Sequence, residues 1–192
     1  MDKSKSLFFI ALLPPQEVQD YANEVKQYFA DTYQSQHAQT SPPHITLQPP
    51  FEWQVDQVPL LKKSLLDFAQ TRTAVPITLK GFGTFPPRVI YINVLKTPDL
   101  LAIQKDLMNY LENSFSITVN QLTKNRPFNP HVTVAYKDLT KQNFYKSWPE
   151  FEHRELDFEF IVSNLALLKH DGQRWNVSLE LPFSKETPPH QN

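Results

Sequence analysis

What most constrains this chain is that one pattern occurs in it twice. An apolar run, Leu7 to Leu13, leads through Pro14-Pro15 into a stretch with Val18, Tyr21, Ala22, Val25 and Phe29 at helical spacing. A polar loop then ends at His44-Ile45-Thr46-Leu47, on what reads as a very short strand. A second helical stretch carries Leu61, Leu65 and Phe68 on one face, and Val75 to Leu79 reads as a strand. The series restarts at Val89-Ile90-Tyr91-Ile92-Asn93-Val94. Pro98-Asp99 open a helix with Leu100, Ile103, Leu107 and Leu111 on one face. After Ile117-Thr118-Val119 and a polar loop comes His131-Val132-Thr133-Val134, then a helical stretch over about 140–148. Two long extended runs, 156–170 and 174–183, meet at Asp171-Gly172, a hairpin signal. Strand, helix, strand, helix, strand is thus laid down twice, with no Gly/Ser-rich linker between. The order predicts an α+β fold in a single domain over 1–192, bilobal and internally duplicated. Its sheets are mainly antiparallel, with helices outside and a central cleft. The lobes are expected at about 6–84 and 85–183, with 184–192 a disordered tail.

The histidine segments hold the same place in each copy. Side chains alternate along a strand, so His44 and Thr46 share one face while Ile45 and Leu47 turn to the core. His131 and Thr133, against Val132 and Val134, repeat the arrangement. Pro43 and Pro130 disfavour helix just upstream. Six histidines and thirteen threonines in 192 residues give about 0.4 chance His-x-Thr matches, so one match means nothing. Two matches at equivalent points of a duplication carry weight. The residue types suit phosphodiester cleavage. A neutral imidazole accepts a proton and an imidazolium donates one near neutral pH. Hydroxyls beside them donate hydrogen bonds to phosphate oxygens. With no carboxylate in either segment the set is a poor metal site, so no metal and no cofactor are expected.

Composition narrows the alternatives. Three glycines, Gly81, Gly83 and Gly172, cannot build a Walker loop or a GxGxxG turn. The absence of cysteine rules out disulfides and thiolate chemistry. A net charge of −1 argues against coating duplex DNA, and leaves nucleotides and RNA ends as partners. No apolar run approaches the roughly 18 residues that span a membrane. The first run is followed by two prolines and lacks a small-residue cleavage site, which favours a buried strand over a secretion leader. The expected location is cytoplasmic. Oligomeric state leaves no trace in the pattern.

PPHITL and FNPHVTVAY resemble the paired tetrapeptides of the 2H phosphoesterase superfamily, in particular its LigT-like 2′-5′ RNA ligase family, over about Leu7 to Phe183. The resemblance implies that His44 and His131 are catalytic and that Thr46 and Thr133 hold the phosphate. It implies hydrolysis of a 2′,3′-cyclic phosphate at RNA ends or on nucleotides, with 2′-5′ ligation a further family activity. A non-catalytic protein binding the same ligands in the same cleft is the alternative. The family's frequent arginines near the first strand and after the second motif are replaced here by Ser6-Leu7-Phe8-Phe9 and Tyr136-Lys137. That bears on substrate more than on reaction class.

The wider set of substrate-binding candidates is Phe51, Arg88, Tyr91, Arg126, Phe128, Tyr136 and Lys137. The aromatics, with Trp53, either stack on a base or fill the core. The cations, with Lys124, either attract phosphate or sit in solvated loops. Tyr91 lies on the strand equivalent to the first one and is a candidate to face the cleft. His37, His153, His170 and His190 lack matching partners and read as loop or surface residues. Lys62-Lys63 and the charges of the first helix read as solvated faces.

Overall fold

The computed structural model describes residues 4–119 and 126–184. Lys124, His190 and the expected disordered tail beyond Ser184 lie outside the described residues.

The first apolar run forms β1 (Lys5–Leu12). Its side chains part by alternation: Phe8, Ile10 and Leu12 enter the main core, while Phe9 and Ala11 point to the other face. Pro15, in extended conformation, opens α1 (Gln16–Tyr33), which stops at Gln34 in the left-handed region at φ 56°. β2 (Ile45–Gln54) pairs antiparallel with β1. At 10 residues it is longer than the very short strand expected, because it runs through Pro49-Pro50. Those prolines are tolerated because β2 is an edge strand and because the ladder slips there. Phe8 opposes Phe51, but Ile10 opposes Gln48.

α2 (Val58–Gln70), β3 (Val75–Phe85) and β4 (Val89–Val94) follow. α3 (Pro98–Phe115) is capped by Thr97, whose hydroxyl accepts from the Leu100 amide at 3.3 Å. Then come β5 (His131–Ala135), α4 (Lys141–Phe151), β6 (Asp157–Val162), β7 (Asn164–His170) and β8 (Trp175–Pro182).

The strands make two antiparallel four-stranded sheets, ordered β2-β1-β7-β8 and β5-β4-β3-β6. The expected lobes, 6–84 and 85–183, do not coincide with these sheets. The end of the first half, β3, pairs with β4 of the second, and β7 returns to pair with β1. The first half therefore gives its last strand, and the second half its last two, to the other's sheet. The run 156–170, read as one strand, is divided at Ser163, with β6 in one sheet and β7 in the other. The physical reason is a change of phase. Phe158, Phe160 and Val162 pack on the core before Ser163, and Leu165 and Leu167 after it. One strand cannot present both sets to one core face.

The duplication is close in the helices. α1 and α3 are each 18 residues long. Buried Val18, Val25 and Phe29 correspond to buried Leu100, Leu107 and Leu111, 82 positions on. Ser116 at φ 54° repeats Gln34. The loops then diverge: residues 34–43 lead to His44, and the longer 116–130 to His131. α1 runs beside β5 and α3 beside β2, so each helix reaches across to the other sheet. One continuous apolar core results, from Phe8 and Leu47 to Ile77, Ile92 and Val132. Among the described residues no helix is long and apolar enough to cross a membrane.

Candidate active site

The two motifs lie on the edge strands, β2 and β5, which approach one another. His131 begins β5, and His44 stands one residue ahead of β2. Both motifs divide as alternation requires. Ile45, Leu47, Val132 and Val134 are buried in the core. His44, Thr46, His131 and Thr133 are partly exposed.

Each imidazole is held in the same way. His44 Nδ1 lies 2.7 Å from the Pro42 carbonyl oxygen, and His131 Nδ1 lies 2.7 Å from that of Asn129. A carbonyl only accepts, so Nδ1 carries the proton in both rings. In the neutral form each Nε2 is left with a free lone pair. Burial holds both rings below the usual imidazole range, His44 down to about 4. His44 is pushed further the same way by the charges of Lys26 and His131, against the opposing effect of its bond to Pro42. His44 is thus close enough to His131 to feel its charge.

Aromatic rings back both histidines. Phe9 on β1 lies 4.6 Å from His44 between ring centroids. Tyr91, which corresponds to Phe9 on β4, lies 5.0 Å from His131 and opposes Thr133 across the strand pair. Phe85 approaches His131 at 5.1 Å. Gly83 makes room for Tyr91: a Cβ there would stand 2.5 Å from the tyrosine ring. Phe9 was legible as the twin of Tyr91, since the two first strands align. Phe85 carried no such signal.

A cavity of about 550 Å³ opens beside the pair. Thr46 of the first motif and His131 of the second both line it, while His44 and Thr133 do not. Gln104, Met108 and Asn109 of α3 form one wall, and Arg126 and Phe128 another. Two of the wider candidates, Arg126 and Phe128, are therefore at the site, and Tyr91 supports it. Phe51 is 8 % exposed in the core beside Phe8, and Trp53 packs edge-on against Phe115. For these two the core reading wins. Arg88 is exposed in the β3–β4 turn.

Tyr136 and Lys137 serve a neighbouring contact. Tyr136 stands edge-on to His37 at 4.9 Å, with the Lys137 ammonium 5.5 Å from its ring centre. Asp138 completes the clamp. It accepts from the Ser35 hydroxyl at 2.8 Å and from the Gln36 and His37 amides at 2.7 Å. His37 is thus a packed residue rather than a free loop histidine, as is His170 against Trp175 at 4.9 Å. His153 is exposed as expected.

Lys26 departs from the solvated face read for the first helix. It is 1 % exposed, and its ammonium donates to the Ser41 carbonyl at 2.9 Å. Nothing in the alternation of charges along α1 marks it. Among the described residues no group of three or more His, Asp or Glu side chains is placed to hold a metal ion.

Two interlocked sheets with a hydroxyl-flanked imidazole on each facing edge define a bilobal, two-histidine protein. The chain belongs to the 2'-5' RNA ligase superfamily, whose sequence model matches residues 14–174. Among curated proteins, one from Geobacillus kaustophilus is 26 % identical over 88 % of this chain and 91 % of its own length. One from Bacillus cytotoxicus is 28 % identical over the same shares. Both carry a provisional phosphoesterase name. Among solved structures, TT0787 of Thermus thermophilus superposes with a TM-score of 0.66 at 18 % identity, over 94 % of this chain and 100 % of that one. Escherichia coli LigT complexed with 3'-AMP gives 0.62 at 18 % identity, over 94 % and 99 %. These likenesses show that the fold is the LigT-like one.

Proposed function

We propose that this protein is a metal-independent phosphodiesterase that hydrolyses 2′,3′-cyclic phosphates on nucleotides or RNA ends. The observation that carries the reading is the matched pair of imidazoles, each with Nδ1–H tied to a carbonyl and Nε2 left with its lone pair. The provisional names of the relatives, and the nucleotide and phosphate complexes of LigT, support a phosphoester ligand. One Nε2 takes a proton from water as the water oxygen bonds to phosphorus. The P–O bond to one ribose oxygen breaks, and that oxygen receives a proton from the other ring in its charged form. Thr46 and Thr133 donate to the non-bridging oxygens, where negative charge builds. Arg126 and Phe128 line the space for the attached nucleoside, as a cation and a stacking face.

Burial makes both rings resist protonation. A phosphate entering the cleft favours the charged form of a nearby imidazole, so substrate itself arms the donor. The test is turnover of 2′,3′-cyclic nucleotides with EDTA present, followed by mass spectrometry. His44→Ala and His131→Ala should each lose about 10²–10⁴-fold in kcat. Full activity in either variant refutes the reading. Tight binding of the cyclic phosphate with no product over long incubation would make the protein a binding module instead.

A further inference from the structure

Because α1 and α3 correspond residue by residue, each position on one has a twin on the other. Val25 matches Leu107, and the next residue, Lys26, matches Met108. Met108 lines the open cavity beside Thr46 and His131. Lys26 is buried, and it donates to Ser41 at 2.9 Å. The segment it grips passes directly into Pro42, whose carbonyl holds His44 Nδ1 at 2.7 Å. One helix side chain thus reaches the first imidazole through a short piece of backbone. Among the described residues the second half shows no such link. The twin is an uncharged methionine, and Asn129, whose carbonyl holds His131, has its amide 3.4 Å from the Tyr91 hydroxyl.

A buried ammonium without a carboxylate beside it is unfavourable. Burial alone accounts for the lowering of Lys26 to about 8, so it still carries its charge at neutral pH. Around His44 stand the Phe9 ring from β1 and the Pro42 carbonyl. The charges acting on it are those of Lys26 from α1 and His131 from β5. Of these, Lys26 is the one whose twin position, Met108, carries no charge.

We infer that Lys26 is a positioning residue that makes the two histidines unequal, holding His44 neutral as the proton acceptor and leaving His131 as the donor. The assignment rests on the phosphodiesterase reading. His44 Nε2 takes the proton of the attacking water as the O–P bond forms. His131 Nε2–H gives its proton to the departing ribose oxygen as the P–O bond breaks. Solvent then takes the extra proton from His44 and returns one to His131.

The experiment compares the whole protein with Lys26→Met, Lys26→Gln and Lys26→Arg. Two readouts are followed against pH: the ¹⁵N-histidine NMR titration of the ligand-free protein, and kcat/KM on 2′,3′-cyclic AMP. Loss of the ammonium in Met or Gln should raise the His44 midpoint by about one pH unit. The acid limb of the rate profile should follow, a roughly tenfold loss at a fixed pH on that limb, carried by kcat more than KM. Arg, which keeps the charge, should restore both. An unmoved His44 midpoint in the folded Met or Gln variant overturns the inference, as does a shift confined to His131. If Met fails to fold, Gln decides, because it keeps a donor for Ser41. Absence of turnover in the unaltered protein would refute the phosphodiesterase reading, while the ligand-free titration would still judge Lys26.

Discussion

His44 ties stability to acidity. An unfolded histidine takes up a proton near pH 6.5, but folded His44 does so only at about 4. Between those values the unfolded chain binds the extra proton. The contribution of neutral His44 is therefore present above pH 6.5 and is lost as pH falls toward 4, by up to about 3 kcal/mol. Urea denaturation from pH 7 to pH 4 should show wild type losing that much more stability than His44→Asn. Equal losses would mean that the imidazole is not shielded as described. Lys26 acts in the same direction at higher pH: its penalty is present below about pH 8 and fades as pH rises toward 10.5. At this scale the sequence was legible where residues repeat. His44, Thr46, His131 and Thr133 stood out because each motif vouches for the other. Lys26 did not, because it sits among the Gln, Glu and Asp of an amphipathic helix. Only the fold of the 34–43 loop over that helix shows it buried.

At the scale of elements, β2 and β5 expose one long edge each, and the motifs occupy those edges. Their backing depends on the inner strands. Tyr91 is wedged between His131 at 5.0 Å and Phe85 at 4.7 Å, with the Gly83 backbone beneath it. Gly83→Ala should therefore push the tyrosine ring off its place and misalign His131. The expected cost is about 1–3 kcal/mol of stability, with a further loss in kcat. Tyr91→Ala made together with it should recover the stability and not the rate. A Gly83→Ala variant with unchanged stability and kcat would contradict this packing. Helices and strands were largely readable, since α1, α2, α3, β4 and the β7–β8 turn follow periodicity and turn chemistry. The run through Ser163 reads as one strand and is two. Its change of phase, from Phe158, Phe160 and Val162 to Leu165 and Leu167, is visible in the sequence once the two sheets are known. The prolines of β2 hid the strand's true length, because their tolerance depends on its being an edge.

At the scale of the whole molecule, a chain that doubles its pattern suggests two lobes in sequence, and the sheets are instead exchanged. Nothing local encodes which sheet a strand joins; β3 and β7 are chosen by long-range pairing. Trp148 on α4 and Trp175 on β8 report on opposite sheets, since α4 packs Phe151 against Phe82 of β3 at 5.0 Å. Urea curves of variants retaining only one of these tryptophans should share a midpoint. Two separate transitions would show that the sheets fold independently.

The single residue between β6 and β7 has a mechanical consequence. Ser163 joins strands of different sheets with no slack, and its carbonyl accepts from the Phe183 amide at 2.8 Å. On the far side the Asp138 clamp fastens residues 35–37 to the end of β5. The molecule is thus fastened at two separate places, one between the sheets and one beside the second motif. On the phosphodiesterase reading, such bracing favours a cleft that takes its ligand as it stands over one that closes around it.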